Sequence, residues 1–393
     1  MMRSIELFAG AGGLALGTSR AGFKHEAIVE WDADACATIH ENRRRRIRHV
    51  GAWPDVTQAD IKDLDFRQYK PDVDLLSGGV PCQPWSQGGL HKGFDDNRNM
   101  FPDMLRAVRA LTPKAILVEN VKGLQRRVFT NYFEYIKLQI EYPEVEPKAH
   151  ESWVDHLSRL QRHHTSKKSD GLRYKVVAQL LNAADYGVPQ RRERVFIVAF
   201  RFDVAPKWTF PEPTHSLLSL LRQQHVTGEY WERHAVPKKH RTKPSAVLLA
   251  RASSLPDLFE RPTDPWRTVR DAIGDLPDPE LMPREADQYL NHKHNPGARA
   301  YPGHTGSPMD LPSKTLKAGV HGVPGGENTL ANRNGSVRYF TVRESARIQT
   351  FPDDFVFQAS WTESMRQLGN AVPVRLAELI ARDISRHLKK AND

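Results

Sequence analysis

The chain has 393 residues, more than one hydrophobic core usually serves, so two domains or one large domain with an insertion are expected. Its net charge of +10 points to a polyanionic partner, nucleic acid ahead of an anionic membrane, although a solvated cationic face accounts for the same number. With Cys36 and Cys82 as the only cysteines, a disulfide framework and a multi-cysteine zinc site are excluded; a reducing, cytoplasmic setting is expected, and no apolar run approaches the roughly 18 to 20 residues of a membrane span.

From Ser4 to Phe200 short apolar runs alternate with helical patterns: Ile5 to Phe8, Ala27 to Glu30, Val73 to Ser77, Ala115 to Glu119 and Val195 to Phe200. That rhythm predicts a parallel α/β sheet, which holds ligands outside the carboxyl ends of its strands. Between Leu124 and Leu172 the pattern breaks at Tyr142-Pro143, at Glu146-Pro147 and over the polar stretch Gln161 to Asp170, so an insertion of about residues 125–171 is expected at the sheet's edge, without an assignable role. From Asp203 to about Thr362 prolines, histidines and basic residues replace the alternation, as in a second domain. Leu376, Leu379, Ile380, Ile384 and Leu388 then share one helix face after Pro373, and this last helix is expected to return to the first domain. The expected division is 1–202, 203–362 and 363–393.

The first run ends in Glu6-Leu7-Phe8-Ala9-Gly10-Ala11-Gly12-Gly13, where Gly10-x-Gly12-x-x-Ala15 fits a turn whose backbone comes close to a ligand; a plain tight turn has the same spelling. Glu30 closes the second run, where a carboxylate can accept ribose hydroxyls, and Trp31 follows as a ring for a stacked adenine. A surface glutamate beside a core tryptophan is the plainer alternative. Asp60-Ile61 offers a third strand end, with a carboxylate for an adenine amino group and an aliphatic cover for the ring. No Gly-x-x-x-x-Gly-Lys-Ser/Thr occurs, so an adenosine ligand without phosphates, such as S-adenosylmethionine, fits better than a nucleoside triphosphate.

After Val73 to Ser77 comes Gly78-Gly79-Val80-Pro81-Cys82-Gln83-Pro84-Trp85. A cysteine among prolines and glycines at a strand's end is poor packing material, which makes Cys82 a candidate nucleophile in need of cationic or dipolar neighbours to form its thiolate. Leu117-Val118-Glu119-Asn120-Val121 sets a carboxylate at the end of a neighbouring strand, able to give or take a proton. Gln190-Arg191-Arg192-Glu193-Arg194 leads into the last run, and alternate positions put Arg192 and Arg194 on one face of extended chain. An ion-paired surface edge is the commoner meaning of an isolated Arg-x-Arg. The run Arg43-Arg44-Arg45-Arg46 with Arg48 reads as a cationic helix end.

In order and spacing, Phe8 to Gly13, Pro81-Cys82-Gln83, Glu119-Asn120-Val121, Gln190-x-Arg192-x-Arg194 and Gln367-x-Gly369-Asn370-Ala371-Val372-Pro373 resemble the bacterial-type DNA (cytosine-5)-methyltransferases of restriction-modification systems. Thr341 to Pro352 matches the segment that in that family supports the target-recognition region. The resemblance implies a Rossmann-like, S-adenosylmethionine-dependent catalytic domain with a smaller target-recognition domain. It implies that Cys82 adds to C6 of a cytosine flipped from the duplex, that Glu119 favours protonation at N3, that C5 takes the methyl group, that Arg192 contacts the flipped base and orders Glu119, and that Arg194 belongs to the catalytic set. By the same carry-over Phe8, Gly10, Gly12, Glu30, Trp31, Asp60, Ile61 and Pro81 line the cofactor, Asn370 and Ala371 close the site, and Trp85 to Arg98 form a lid. Double-stranded DNA is the implied partner, with a cognate restriction endonuclease acting on the same site. The expectation is a monomer near the nucleoid, without metal or membrane.

Gly88 stands where the family often has a serine that fills the space of the flipped base, and 125–171 is longer than the family's usual connection. Three rivals stand beside this reading. An RNA cytosine-5 methyltransferase of the same fold usually carries a Cys-Phe-Thr signature, for which no third cysteine exists here. A catalytically idle DNA binder would not need Cys82, Glu119, Arg192 and Arg194. A nicotinamide dehydrogenase would rest on the glycine turn and Glu30 alone.

Overall fold

The computed structural model describes residues 2–81, 99–166, 171–204, 207–253, 263–300, 302, 305–318 and 328–392. The chain divides into two compact units, the first made of residues 1–181, 193–211 and 377–393, the second of 182–192 and 212–376.

The first unit opens with β1 (Met2–Leu7), α1 (Gly13–Arg20), β2 (Phe23–Glu30), α2 (Ala33–Arg44), β3 (Val56–Gln58) and β4 (Leu75–Gly79). It continues with α3 (Phe101–Leu111), β5 (Ala115–Val121), α4 (Thr130–Glu141), α5 (Trp153–Thr165), β6 (Tyr174–Asn182) and β7 (Glu193–Arg201). The seven strands form one sheet in the order β3-β2-β1-β4-β5-β7-β6. β1 to β5 pair in parallel, and Ala115 to Val118 of β5 are wholly buried, as expected of strands covered by helices on both faces. The last apolar run corrects one expectation: β7 lies antiparallel to β5. It is reached from β6, its other neighbour in the sheet, through only ten residues, fewer than the crossover that a parallel strand requires.

Strand order reverses between β1 and β4, and such a switch point opens a crevice outside the two carboxyl ends. α1 starts at Gly12 in the left-handed region (φ 86°), with no side-chain cap. Its Gly17 lies so close to Ala377 that an added Cβ would fall 2.4 Å from the alanine methyl, so glycine lets the C-terminal helix seat against α1.

The second unit is built of short pieces: β8 (His215–Ser216), α6 (Leu217–Arg222) running into one π-helical turn (Gln223–Thr227), α7 (Glu229–Arg233), α8 (Ala246–Ser253), β9 (Asp264–Pro265), α9 (Val269–Ile273) and α10 (Pro283–Ala286). β10 (Ser307–Pro308), β11 (Thr329–Ala331), β12 (Val337–Tyr339), α11 (Val342–Ile348) and α12 (Trp361–Asn370) follow, and α13 (Val374–Asn392) leads the chain back into the first unit. Among its described residues, one apolar cluster forms around Trp231 and Trp266 and another around Phe340 and Ile348. Arg338 grips Glu344 through two bonds of 2.8 and 2.7 Å, and Glu344 also closes a capping box with Thr341 at the start of α11. In α13, Leu376, Ile380, Ile384 and Leu388 are buried on one face as the spacing predicts, with Leu379 at its margin. No helix among the described residues is long and apolar enough to cross a membrane.

Candidate active site

The strand ends of the first unit meet around β1 and β4. Phe8 and Gly10 take positive φ angles of 55° and 54°, so the chain turns sharply at the end of β1. A Cβ added to Gly10 would meet nothing within 4 Å, so the turn faces open space. At Gly12 the same atom would stand 3.0 Å from the Trp53 ring, and only glycine suits both the angle and the contact.

Glu30, at the end of β2, turns its carboxylate back onto this loop. Gly10 N donates to Oε2 at 2.6 Å, and Trp31 N and Asp32 N donate to Oε1 at 2.9 Å each. A carboxylate offers about four lone-pair sites, so three backbone donors leave room for about one more, on Oε2. The indole of Trp31 is 73 % exposed, an apolar ring held in solvent beside that carboxylate. The ends of β2 and β3 are joined by Ala59 N donating to Glu30 O at 3.1 Å. Asp60 follows, exposed and capping Lys62 N at 3.0 Å, while Ile61 is buried. An exposed ring, a carboxylate with spare acceptor capacity, a second exposed carboxylate and an open glycine turn suit a ribose and a flat base.

At the end of β4 a Cβ on Gly78 would stand 2.6 Å from Leu7 O, so the two central strands approach only because glycine is there. A Cβ on Gly79 would lie 3.6 Å from Glu119 Oε2 and 3.9 Å from Phe8 O, which shows how closely β1, β4 and β5 converge. Asn120 Nδ2 donates to Val80 O at 3.3 Å and Asn120 Oδ1 accepts from Val121 N at 2.8 Å, tying β5 to the backbone that runs into Pro81. Cys82, Gly88 and the expected lid 85–98 lie outside the described residues.

Glu119 is buried, and Arg194 Nε stands 3.0 Å from its Oε1. Arg194 also donates from Nη1 to Glu193 O at 2.8 Å. Burial lowers the pKa of this guanidinium and the Glu119 carboxylate works against that shift.

Arg192, Asn370 and Ala371 belong to the second unit. Arg192 is fully buried there, donating from Nη1 to Leu316 O at 3.2 Å and from Nη2 to Gly369 O at 2.7 Å. Its neighbour Gln190 accepts from Leu316 N at 3.0 Å and donates to Gln349 Oε1 at 3.2 Å, and Gln349 Nε2 reaches Ala371 O at 3.3 Å. Asn370 is exposed. Phe8, Gly10, Gly12, Glu30, Trp31, Asp60, Ile61, Pro81, Glu119 and Arg194 thus gather at one edge of the first unit's sheet, and Arg192, Asn370 and Ala371 gather separately in the second unit. Sequence reasoning gave no role to Asn120 or Gln190, although each is spelled inside a motif that it had singled out.

Fold and strand ends together define an α/β enzyme of the doubly wound class, with its crevice at the switch point. A family model described as C-5 cytosine-specific DNA methylase matches residues 2–142 and 154–386, and the chain belongs to that family. It is 32 % identical over 393 residues to the Type II methyltransferase M.Eco47II of Escherichia coli, covering 99 % of this chain and 80 % of the relative. It is 31 % identical to the Type II methyltransferase M.NgoMIV of Neisseria gonorrhoeae, over 99 % of each chain. Among solved structures, the Dnmt2 methyltransferase of S. pombe shares the fold, with a TM-score of 0.55 at 17 % identity and all of both chains covered.

Proposed function

We propose that this chain is the modification enzyme of a restriction-modification system, methylating C5 of one cytosine within a specific duplex sequence, as a monomer acting on DNA in the cytoplasm. Membership of the C-5 cytosine-specific DNA methylases and the likeness to two Type II methyltransferases support this reading. The observation that carries the site is Glu119, paired with Arg194 and aimed at the end of β4, from which the chain runs into Cys82.

S-adenosylmethionine, when bound, supplies an electrophilic methyl group. The glycine turn at Gly10 and Gly12, Glu30, Trp31, Asp60, Ile61, Phe8 and Pro81 are the residues to hold it, and the family resemblance adds Asn370 and Ala371 to the set. C5 lies inside the base stack, so the target nucleotide must swing out, at a cost of a few kcal/mol offset by pocket contacts. The Cys82 thiolate adds to C6, forming an S–C6 bond and placing electron density on C5. Glu119 holds the base edge and favours the N3-protonated form, which makes C6 easier to attack and C5 nucleophilic. Arg194 keeps Glu119 oriented, and Arg192 braces the backbone of residues 316 and 369 in the second unit. After C5 is alkylated its proton leaves, the S–C6 bond breaks, and the thiolate and the aromatic ring are restored.

Purified protein would be incubated with methyl-labelled S-adenosylmethionine and duplex DNA beside a Cys82→Ser variant, and modified positions mapped by bisulfite sequencing. Label at C5 in one short recurring sequence, absent from the variant, is expected. Label on RNA alone, or tight DNA binding with no transfer, would overturn the proposal.

A further inference from the structure

One stretch of the second unit concentrates positive charge. From Arg233 to Ser253 the chain carries Arg233, Lys238, Lys239, Arg241, Lys243 and Arg251 and no acidic residue, six charges in a chain whose net is +10. Arg233 and His234 are spent on Asp271. The next four cations differ. Lys238, Lys239 and Lys243 are exposed and Arg241 is partly so, and among the described residues no carboxylate stands within ion-pair distance of any of them. The arginine run at the end of α2 is the opposite case, with Glu41 and Asp55 as counter-charges.

The fold holds this stretch on a fixed base. Trp231 and Val236 are buried in one of the unit's apolar clusters, and Val236 N donates to Trp231 O at 2.9 Å. From that anchor Lys238–His240 make one tight helical turn, closed by Arg241 N donating to Lys238 O at 3.2 Å. Three residues per turn send three side chains in three directions, and Arg241 continues in extended conformation (φ −76°, ψ 138°). Its Nε donates to Val236 O at 3.1 Å, which ties the guanidinium to the anchored backbone. Arg333, exposed in the turn between β11 and β12, joins the group: desolvation, then the charges of Arg333 and Lys239, hold the His240 pKa below its ordinary value.

Composition indicates what such a surface reads. Arg233 to Ser253 contains no Asn, Gln, Asp or Glu to pair with base edges and no Phe, Tyr or Trp to stack on an unpaired strand. Cations without amides or rings suit the phosphates of a duplex, contacts that hold the nucleic acid but carry no sequence information.

We propose that Lys238, Lys239, Arg241 and Lys243, with Arg333, form a surface that grips the phosphate backbone of duplex DNA, adding affinity without choosing the methylated sequence. Duplex DNA as the occupant rests on the modification-enzyme reading above.

The test uses the full chain in two fourfold variants. One replaces Lys238, Lys239, Arg241 and Lys243 by glutamine; the other keeps every charge as Lys238→Arg, Lys239→Arg, Arg241→Lys and Lys243→Arg. Binding is followed by fluorescence anisotropy over a salt series, on duplex DNA with and without the methylated sequence and on duplex RNA. At about 0.9 per phosphate contact, the glutamine variant should lose about two units or more of the slope of log K against log salt. Its KM for DNA should rise about tenfold or more while kcat, melting temperature, the methylated sequence and the preference for it stay as in the wild type. The charge-keeping variant should bind within about twofold of the wild type, because a phosphate asks for charge where a base edge asks for a particular fork. A slope loss below one unit, a broadened methylated sequence, a charge-keeping variant as weak as the glutamine one, or weakening confined to RNA would overturn the proposal. Wild-type methylation of duplex DNA is measured in the same samples. Methylation with an unchanged slope overturns this surface alone, whereas absence of methylation overturns the reading beneath it and this surface with it.

Discussion

Glu119 and Arg194 meet diagonally across an antiparallel ladder: Glu119 faces Phe196, Arg194 stands two residues earlier on β7, opposite Val121, and Nε and Oε1 are 3.0 Å apart. Residues opposite one another in such a ladder share a face, and so do residues two apart on one strand, so the register alone sets both side chains on the same side of the sheet.

Arg194→Lys keeps a positive charge there but loses the planar fork that fixes the carboxylate. Single-turnover methylation should fall by about 10- to 100-fold, while Glu119→Gln, which removes the proton-transferring group itself, should cost about 10²- to 10⁴-fold. Quench-flow measurement with excess enzyme checks both. Equal rates in the lysine variant and the wild type would sink the positioning role of Arg194.

Asn120 uses both ends of its carboxamide, taking Val121 N and giving to Val80 O. Asn120→Asp keeps the size and the acceptor but removes the donor. If the Val80 bond places the chain leading into Cys82, Asn120→Asp and Asn120→Ala should lose a similar 10- to 100-fold in kcat, because small misplacements of reacting groups are expensive, with DNA affinity little changed. Slower alkylation of Cys82 by iodoacetamide would accompany the loss. Full activity in the aspartate variant would show that the donor does not matter.

The glycine turn and Glu30 were legible in the sequence because they answer backbone demands: Gly10 and Gly12 sit at positive φ, and Glu30 accepts the Gly10 amide of the turn together with the amides of Trp31 and Asp32. β1, β2, β4 and β5 announced themselves as apolar runs because both faces are covered. β6 did not, since it lies at the sheet's edge and its residues are only partly buried. The stretch 125–171 holds two helices, α4 and α5, whose signal was masked by prolines that fall in the link between them, at 143 and 147. Arg192 and Arg194 are spelled alike, and what separates them is tertiary: the bonding partners of Arg192 are 124 and 177 residues away in the chain. Sequence spacing carries no information about such contacts.

The arginine run at the end of α2 is already engaged. Arg44 pairs with Glu41 at 2.7 Å, Arg45 stands 3.8 Å from the same carboxylate, and Arg43 bonds Asp55. Replacing Arg44 and Arg45 by glutamine should shift the slope of log K against log salt for DNA binding by less than about one unit, since each phosphate contact is worth about 0.9. A loss of several units in a fluorescence-anisotropy salt series would place this run on the DNA.

Glu6 is wholly buried in the middle of β1, and Ser77 of β4 donates to its Oε2. Burial raises its pKa from the ordinary 4.5 to about 8, the serine bond opposing only part of that. In the folded chain the acid therefore keeps its proton where the unfolded chain has released it. Its contribution is fully present below the unfolded pKa and is lost as pH rises through 4.5 toward about 8, at about 1.4 kcal/mol per pH unit. Nearby His25 acts in the opposite direction: burial lowers its pKa from 6.5 to about 4, so its contribution is complete above 6.5 and is lost as pH falls through that interval. Between pH 6.5 and 8 the glutamate acts without the histidine, and there the wild type should lose about 2 kcal/mol that Glu6→Gln, neutral at every pH, retains. Urea unfolding at half-unit pH steps measures both curves. Parallel curves over that interval would mean that Glu6 is ionised in the folded protein.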